Sequence, residues 1–329
     1  MIKKFKAFVT SQNQNGEFEN KVSKKSINDL PDGDLLVRVE YSSLNYKDAL
    51  SASGAKGITR EYPHTPGIDA AGVIENSNSN HFLVGEKVIV TGFDLGMNTS
   101  GGFSEYIRVP SSWAVKCPDS LSTKESMMLG TAGLTAGLCL SEIEKHIPLK
   151  NLKVIVSGAT GGVGSLAVKL LSLLGSKVTA ITGKTNTEDF LSGLGSSKII
   201  QRQDLIESTR LPLSKGLYDA AVDVAGGNIL SSIIASMNYS GIITACGNVA
   251  GPNFETTVFP FILRGNRLIG IDSATCPMTL REKVWNNFSE KWKLKNLDNI
   301  CKIIDLYRLD NEIKKILSGK QIGRVIVKI

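Results

Sequence analysis

Residues 152–174 read LKVIVSGATGGVGSLAVKLLSLL and contain three successive local patterns. The β-branched run at 154–156 predicts a short strand. A glycine-rich segment follows at 157–164, which is typical of a tight turn. Leu166, Leu170 and Leu173 then recur at helical spacing, so we predict a helix with one apolar side. The stretch therefore predicts a strand, a turn and a helix in immediate succession.

A glycine turn between a strand and a helix is a setting in which proteins bind the phosphates of a dinucleotide. Gly161 would allow the backbone to approach a pyrophosphate, and Gly164 would allow the helix to pack against the strand. Ala159 stands where the usual G-x-G-x-x-G pattern has its first glycine, with Gly158 just before it. A turn without a ligand is the alternative, and the strands predicted downstream favour binding. The candidate binding residues of the turn are Thr160, Gly161, Gly162 and Val163.

Length and composition narrow the class of protein. The chain has 329 residues, which favours two domains, and its mean hydropathy is +0.01. Its apolar runs are interrupted by Lys or Gly, and its start, MIKKFKAFVT, lacks the long apolar segment of a signal peptide, so we expect no membrane association. The net charge is +7, but the basic residues are dispersed, which argues against a nucleic-acid partner.

The chain has five cysteines, and none of them forms a C-x-x-C pair. In a chain without a signal peptide this usage is typical of reduced thiols in a cytosol. We therefore predict a cytoplasmic protein.

The first third of the chain is rich in strand patterns, at 35–41, 72–74, 87–90 and 106–109. The pattern changes at Ser122, because Ser122 and Glu125 form the S-x-x-E signature of a capped helix start. Small residues follow at 130–137 and permit close backbone approach.

Strand and helix patterns alternate between 152 and 275, which is typical of a doubly wound parallel sheet. The strands are predicted at 154–156, 177–181, 198–200, 219–224, 241–246 and 267–271. Helical patterns near 280–292 and 310–317 precede a last strand at 324–329. Since the parallel sheet already occupies the middle of the chain, we assign this strand to the N-terminal β-rich domain. The predicted domains are residues 1–122 with 278–329, and residues 123–277.

Several strings in the chain resemble the zinc-free, quinone-reductase-like branch of the medium-chain dehydrogenase/reductase superfamily. They are SSLNYKDAL at 42–50, PGIDAAG at 66–72 and GTAG at 130–133. Within that branch NYKD at 45–48, MNY at 237–239 and PFILRG at 260–265 are similar to the acrylyl-CoA reductase (NADPH) family. The resemblance covers essentially the whole chain. It implies an α/β protein with a β-rich, GroES-like catalytic domain and a Rossmann domain that binds NADPH.

The sequence argues against a metal site. Zinc enzymes of the superfamily carry Gly-His-Glu where this chain has Gly67-Ile68-Asp69, and a ligand cysteine near the position of Asn45. Their structural zinc needs four closely spaced cysteines, and the corresponding region, 91–102, has none. We interpret His64 as a loop or substrate-cleft residue.

The predicted second strand indicates which nicotinamide cofactor is bound. NAD-specific sites place an Asp or Glu at the end of this strand, where the chain has Thr182, Gly183 and Lys184. A hydroxyl, a glycine and a cation suit a phosphate, and the resemblance adds Arg202 as a second cation for the 2′-phosphate of NADPH. The alternatives are a solvated loop lysine and a surface pair between Arg202 and Asp204 or Glu207.

Reduction of a conjugated alkene places negative charge on the substrate's carbonyl oxygen, which hydrogen-bond donors must stabilise in a metal-free site. The resemblance implies Tyr46 and Asn45 as the candidate catalytic residues. Tyr46 would line the nicotinamide, where it would donate a hydrogen bond to the enolate, protonate the α-carbon or only pack on the cofactor. Positioning of the cofactor or substrate ranks first among its roles, and proton donation second. We interpret Asp48 as a structural acceptor for backbone groups.

The resemblance implies further cofactor contacts, namely Thr131, Asn248, Ile262 and Ser273. The alternative for Thr131 is a helix residue bonded to its own turn, and the alternative for Ile262 is a core residue.

These observations favour an NADPH-dependent reductase of an α,β-unsaturated acyl-CoA, with acrylyl-CoA first among the substrates. Two alternatives stay open. One is a reductase of quinones or small enones, and the other is an NADPH-binding protein without enzymatic activity. The strand at 267–271 pairs across a two-fold axis in the family, so we expect a homodimer whose only other partner is a small-molecule substrate.

Overall fold

The computed structural model describes residues 3–329, which form two compact units. The first comprises the chain up to Thr131 together with Ala274–Ser289 and Lys295–Ile329. The second comprises Ala132–Ser273 and Glu290–Leu294. The first boundary between the two units thus falls after Thr131, whereas the predicted domain boundary falls after residue 122. The domain bounds stay a prediction.

Two sheets dominate the first unit, and all but one of their strand pairs are antiparallel. One is a hairpin of two strands, and the other has the order β14-β15-β3-β4-β5-β7, with β6 paired to β3. The strands are β1 (Lys4–Gln12), β2 (Phe18–Ser26), β3 (Leu35–Leu44), β4 (Asp69–Ser77), β5 (Lys87–Thr91), β6 (Tyr106–Val109), β7 (Ala114–Lys116), β14 (Cys301–Asp305) and β15 (Arg324–Lys328). The helices are α1 (Tyr46–Ala52), α8 (Met278–Ser289) and α9 (Leu309–Leu317).

The last strand returns to the N-terminal part of the chain, as the sequence predicts. β15 pairs antiparallel with β3, with Val325 opposite Leu44 and Lys328 opposite Tyr41. β14 pairs parallel with β15, whereas the sequence predicts no strand there.

The second unit is a six-stranded sheet in which all pairs are parallel, in the order β10-β9-β8-β11-β12-β13. The strands are β8 (Lys153–Val156), β9 (Lys177–Thr182), β10 (Lys198–Gln201), β11 (Tyr218–Asp223), β12 (Met237–Ala245) and β13 (Arg267–Gly270). The helices are α3 (Gly162–Leu173), α4 (Glu188–Gly193), α5 (Arg202–Ser208), α6 (Gly227–Ala235) and α7 (Phe259–Arg264). All six predicted strands are present. The strand order reverses around β8, which opens a crevice at the carboxyl ends of the strands.

The first segment of the first unit ends at Thr131, within the long helix α2 (Thr123–Glu144). Its predicted cap is present, since the Glu125 amide donates to Ser122 Oγ at 3.1 Å and the Ser122 amide donates to Glu125 Oε2 at 3.0 Å. Gly130 interrupts the helix with φ of 52°. By length and composition alone α2 could cross a membrane, but 83% of its apolar window is buried within the protein, as in a core helix.

Candidate active site

The first unit holds a group of buried polar side chains that we call the Asp69 cluster. Its members are Ser43, Asn45, Asp48, Asp69, Thr131 and Arg324. The Asp69 carboxylate is fully buried and accepts hydrogen bonds from Asn45 Nδ2 at 2.8 Å and from the Thr131 amide at 2.9 Å. The hydroxyls of Ser43 and Thr131 also donate to it. Four donors thus compensate the desolvation of this charge.

Arg324 supplies the cation of the Asp69 cluster. Its Nη2 lies 3.9 Å from Asp69 Oδ2, and its side chain is only 2% exposed. The guanidinium donates to Ser43 Oγ at 2.7 Å and to Asn45 Oδ1 at 3.0 Å. A buried ion pair of this kind depends on complete hydrogen bonding, because burial alone disfavours both charges.

The break in α2 follows from the same packing. A Cβ at Gly130 would lie 2.5 Å from Asp69 Oδ2 and 2.7 Å from Arg324 Nη2. The backbone there also has φ of 52°, which side chains with a Cβ rarely adopt. Glycine therefore lets the helix approach the ion pair.

Asp48 is a structural acceptor, as predicted. One carboxylate oxygen accepts from the Asn45 amide and the other from the Ile68 amide, both at 2.7 Å. Burial, followed by repulsion from Asp69, raises the pKa of Asp48 to about 7. Asp48 thereby caps α1 and ties its start to the segment that precedes Asp69.

The two candidate catalytic residues differ in what they can offer a ligand. Both amide hydrogens of Asn45 have protein acceptors, Asp69 Oδ2 and the Ser43 carbonyl at 3.2 Å. Tyr46 is the first residue of α1 and is 37% exposed. Among residues 3–329 its hydroxyl has no hydrogen-bond partner, so it is available to a ligand, whereas the Asn45 amide is already engaged.

The Thr131 hydroxyl is engaged within the first unit, where it donates to the Asp69 carboxylate. Through this oxygen, a cofactor contact would have to be accepted rather than donated.

The glycine turn of the second unit has the predicted geometry. Gly158, two residues after the end of β8, adopts φ of 58° and makes the tight turn. A Cβ at Gly164 would lie 2.2 Å from the Gly158 carbonyl oxygen, so Gly164 permits the close approach of α3. At Gly161 a Cβ would make one tight contact, with the same oxygen at 3.3 Å.

The start of α3 suits an anion. Gly161 is the N-cap residue and provides no side-chain cap, and no acidic residue lies in the first turn. The first N–H groups of a helix lack intrahelical acceptors, and the helix dipole favours negative charge there. Gly162 and Val163 are half-buried at this end, next to the buried Thr160. The turn therefore fits a pyrophosphate through its backbone N–H groups.

The four residues predicted to bind the 2′-phosphate, which we call the cation pocket, lie at the carboxyl ends of β9 and β10. Arg202 starts α5, and a Cβ at Gly183 would lie 2.7 Å from Arg202 Nε, so the guanidinium lies over this glycine. The Lys184 amide donates to Thr182 Oγ1 at 3.1 Å, and partial burial lowers the pKa of Lys184. In the described part of the chain Arg202 forms no ion pair with Asp204 or Glu207, contrary to the alternative interpretation.

The remaining candidates are dispersed over the second unit. Asn248 lines a cavity of about 630 Å³ formed by 245–248 after β12 and 270–272 after β13. Ser273 follows directly, and its hydroxyl bonds to Thr135 Oγ1 at 2.7 Å. Ile262 is 68% exposed on α7, so the alternative of a core residue is wrong.

Sequence reasoning missed Arg324 and Asp223 and gave Asp69 no role of its own. Asp69 lies in the PGIDAAG string at 66–72, but no residue near it in the sequence indicates its partner Arg324, which lies 255 positions further along the chain. Asp223 ends β11 and is fully buried. The only sequence signal for Asp223 is its position at the end of an apolar strand.

Residues 31–119 match the family "Alcohol dehydrogenase GroES-like domain", and residues 162–290 match the family "Zinc-binding dehydrogenase". AcuI of Ruegeria pomeroyi, named acrylyl-CoA reductase, is 37% identical over 99% of both chains. The chain belongs to the medium-chain dehydrogenase/reductase superfamily. "Putative quinone oxidoreductase YhfP" of Bacillus subtilis is a further member, 42% identical over 92% of this chain and 93% of its own.

Two solved members of the superfamily share the whole fold. The yhdH oxidoreductase of Salmonella enterica in complex with NADP has a TM-score of 0.94 at 38% identity, over 98% of this chain and 99% of that chain. The Bacillus subtilis yhfP structure with NAD bound has a TM-score of 0.95 at 41% identity, over 99% of this chain and 100% of that chain.

This member of the superfamily lacks a donor set for zinc in the part of the chain that the structure describes. No group of three or more His, Cys, Asp or Glu could hold a metal ion within residues 3–329. Asp69, which stands where zinc members have the Glu of Gly-His-Glu, is engaged by Arg324 and four hydrogen-bond donors.

Proposed function

We propose that this chain is an NADPH-dependent, metal-free reductase of an α,β-unsaturated acyl-CoA, with acrylyl-CoA as its first substrate. The observation that carries the proposal is the cation pocket. The Arg202 guanidinium lies over Gly183, which precedes Lys184, at the end of β9, where an NAD-specific site has a carboxylate. The acyl-CoA substrate is inferred from the similarity to AcuI, which extends over 99% of both chains.

The residues present fit NADPH. The start of α3 would hold the pyrophosphate, the cation pocket would hold the 2′-phosphate, and Asn248 lines the cavity at the ends of β12 and β13. When bound, NADPH supplies the hydride that reduces the β-carbon of the alkene. The structure of Salmonella enterica yhdH in complex with NADP supports this choice, whereas NAD in Bacillus subtilis yhfP makes cofactor preference a necessary test.

Tyr46 stabilises the developing charge in this proposal. The carbonyl oxygen of the thioester becomes negative as its conjugated alkene is reduced, and a hydrogen bond to that oxygen lowers the barrier. The Tyr46 side chain is 37% exposed and its hydroxyl is unengaged among the described residues, so it can donate a hydrogen bond to the substrate. The α-carbon then takes a proton, from Tyr46 or from water, which completes the saturated acyl-CoA.

Asn45 is a positioning residue in this scheme. Its amide connects Asp69 to Arg324 and its backbone amide is held by Asp48, so it fixes the chain immediately before Tyr46. Metal-free stabilisation of the carbonyl then depends on the Asp69 cluster holding the start of α1 rigid.

Reduction of quinones or small enones is the second candidate function. The name of YhfP, at 42% identity, favours it. The test is kcat/KM of the purified protein with NADPH on acrylyl-CoA and on 1,4-benzoquinone. A higher value on acrylyl-CoA supports the proposal, and a higher value on the quinone replaces it. NADPH binding without turnover on either compound would indicate a non-enzymatic binding protein.

Tyr46→Phe tests the role of the hydroxyl. It keeps the ring and should lower kcat by up to about 10²–10³ if this donor is the main one, while NADPH affinity stays near wild type. Tyr239→Phe is the matched control, because that side chain is 79% exposed in the second unit. A wild-type kcat in Tyr46→Phe would reduce Tyr46 to a packing residue.

We propose that the protein is a cytoplasmic homodimer. β13 is an edge strand, and the neighbouring α7 exposes Phe259 (46%), Ile262 (68%) and Leu263 (58%), an apolar surface that a second copy would cover. Leu263→Glu should shift the protein to a monomer in sedimentation velocity, whereas Leu211→Glu, at a residue 69% exposed, should not. A monomeric wild type would exclude the dimer.

A further inference from the structure

A buried serine and a buried aspartate connect two turns at the carboxyl end of the parallel sheet. Ser157 follows β8 and Asp223 ends β11, and these strands are neighbours in the sheet. Ser157 Oγ donates to Asp223 Oδ1 at 2.6 Å. Neither side chain is exposed, so the contact is protected from water.

The pair holds the turn that follows β11. Ser157 Oγ accepts from the amides of Val224 at 2.8 Å and Ala225 at 3.1 Å. Asp223 Oδ2 accepts from the Gly226 amide at 2.9 Å. Three successive backbone N–H groups are therefore fixed by two side chains, in a turn where Gly226 has φ of 69°.

The turn after β11 is in contact with the glycine turn. The Ser157 amide donates to the Val222 carbonyl at 3.1 Å, which sets the position where the glycine turn leaves the sheet. A Cβ at Gly158 would lie 3.4 Å from Val224 Cβ. A displacement of Val224 would therefore displace Gly158, the residue with φ of 58° that makes the tight turn.

The same turn supports the loop that contains Asn248. The Cys246 amide donates to the Asp223 carbonyl at 2.9 Å, and the Ala250 amide donates to the Ala225 carbonyl at 2.8 Å. A Cβ at Gly247 would lie 2.2 Å from the Val224 carbonyl oxygen, so the two segments are in close backbone contact. Cys246, Gly247 and Asn248 line the cavity after β12.

A carboxylate is an unusual choice for this position. Burial raises the pKa of Asp223, and in the part of the chain that the structure describes it has no cation within ion-pair distance. Its partners are instead one hydroxyl and the amides of the turn. An anionic acceptor makes stronger hydrogen bonds to backbone N–H groups than a neutral one, which rigidifies the turn.

We propose that Asp223 and Ser157 are positioning residues for the cofactor, which hold the glycine turn and the 246–251 loop together in the geometry that binds NADPH. The inference rests on the proposed binding of NADPH by the second unit. Neither side chain needs to touch the cofactor, because their effect passes through Val224, Gly158 and Asn248.

The variants Asp223→Asn and Ser157→Ala test the proposal. The asparagine directs an N–H toward a backbone N–H or the Ser157 hydroxyl. The alanine leaves the Val224 amide without an acceptor and leaves the Ala225 amide with only Asp223 Oδ1, at 3.3 Å. Each should weaken NADPH binding about tenfold or more, because one unsatisfied buried group has roughly that effect. The double variant should bind NADPH more weakly than either single variant. Its fold-loss of affinity should be smaller than the product of the two single losses, because the two residues act as one unit.

Ser176→Ala is the matched control, because its buried hydroxyl donates to the Leu149 carbonyl at 2.6 Å just before β9, at the amino end of the sheet. NADPH dissociation constants, measured by cofactor fluorescence, and melting temperatures are compared in all variants. Wild type that fails to bind NADPH overturns the proposed function and the inference with it. Wild-type affinity in Ser157→Ala, with a melting temperature lowered as in Ser176→Ala, overturns the inference alone, and it does so even if Asp223→Asn fails to fold.

Discussion

The glycine turn of the second unit presents backbone N–H groups to a ligand, whereas the Asp69 cluster of the first unit encloses side chains from distant parts of the chain. The turn needs glycine for space and for φ of 58° at Gly158, and both requirements are local in the sequence. The cluster needs Asp69 and Arg324 to meet across 255 positions. A turn that would bind a ligand through backbone N–H groups can therefore be predicted from a short stretch of sequence. A network of side chains can be predicted only when the fold is known.

The largest expected effect comes from breaking the ion pair of the cluster. Arg324→Met leaves the buried Asp69 carboxylate without its cation, and the free energy of unfolding should fall by about 3–5 kcal/mol in urea titrations. The double variant Arg324→Met with Asp69→Asn removes both charges and should recover part of that loss. A single variant within about 1 kcal/mol of wild type would show that hydrogen bonds alone hold Asp69.

The pH dependence of stability distinguishes the cluster from the turn. The pKa of Asp48 is about 7 in the folded protein against an ordinary value of 3.8, so the folded state holds this proton more tightly than the unfolded state. The resulting stabilisation is complete below about pH 4 and is lost as the pH rises to about 7. Its upper limit is about 4 kcal/mol, at roughly 1.4 kcal/mol for each pKa unit.

Asp48→Asn isolates this contribution, because asparagine does not titrate and all other titratable groups are the same in the two proteins. The mutant should gain stability relative to wild type between pH 4 and pH 8 in parallel unfolding titrations. A difference that stays constant over this range would mean that Asp48 is already ionised at low pH in the folded protein.

The turn is tested by two glycines with different surroundings. Gly161→Val adds a side chain whose Cβ has one tight contact, 3.3 Å from the Gly158 carbonyl oxygen, and should weaken NADPH binding at least about a hundredfold, or ~2.7 kcal/mol, with the fold intact. Gly164→Ala places a Cβ 2.2 Å from the Gly158 carbonyl oxygen and should instead destabilise the fold by about 1–3 kcal/mol. Fluorescence titration and circular dichroism separate the two effects. Unchanged affinity in a folded Gly161→Val would exclude this turn as the pyrophosphate site.

The smallest effect concerns the cation pocket. Lys184→Ala and Arg202→Ala should each reduce the preference for NADPH over NADH by about ten- to a hundredfold, because only NADPH carries the 2′-phosphate. The exposure of Arg202 places it at the lower end, and added salt should weaken the preference. The measurement is kcat/KM for both cofactors. Equal losses with NADH and NADPH would assign these residues to the fold, and a wild type that prefers NADH would refute the phosphate pocket.

Local pattern predicted much of the fold, including the six parallel strands and the capped start of α2. The return of β15 to β3 was also predicted, because the parallel sheet was already complete. The hairpin of β1 and β2 was not predicted, since Phe18–Ser26 is mostly half-exposed and lacks a strong apolar alternation. α1 was missed because its cap uses Asn45 and Asp48, a pair that the S/T-x-x-E signature does not include.

The candidate site divides in the same way. The glycine turn and residues 182–184 of the cation pocket lie at the ends of β8 and β9, where local sequence indicates them, whereas Arg202 follows from the family resemblance. Their roles in binding stay predictions. Arg324 starts a strand whose pattern says nothing about a buried guanidinium, and its partners lie on β3, β4 and α2. Burial of a charge depends on what surrounds it in space, and no local pattern contains that information.

The most direct test of the proposed reaction follows the transferred hydrogen. NADPH carrying deuterium at both positions of nicotinamide C4 is incubated with acrylyl-CoA and the protein in ordinary water. The propionyl-CoA formed should contain one deuterium, located on the β-carbon, when it is analysed by mass spectrometry and NMR. A product without deuterium, a product labelled on the α-carbon, or no turnover of acrylyl-CoA would contradict NADPH-dependent reduction of the acyl-CoA alkene.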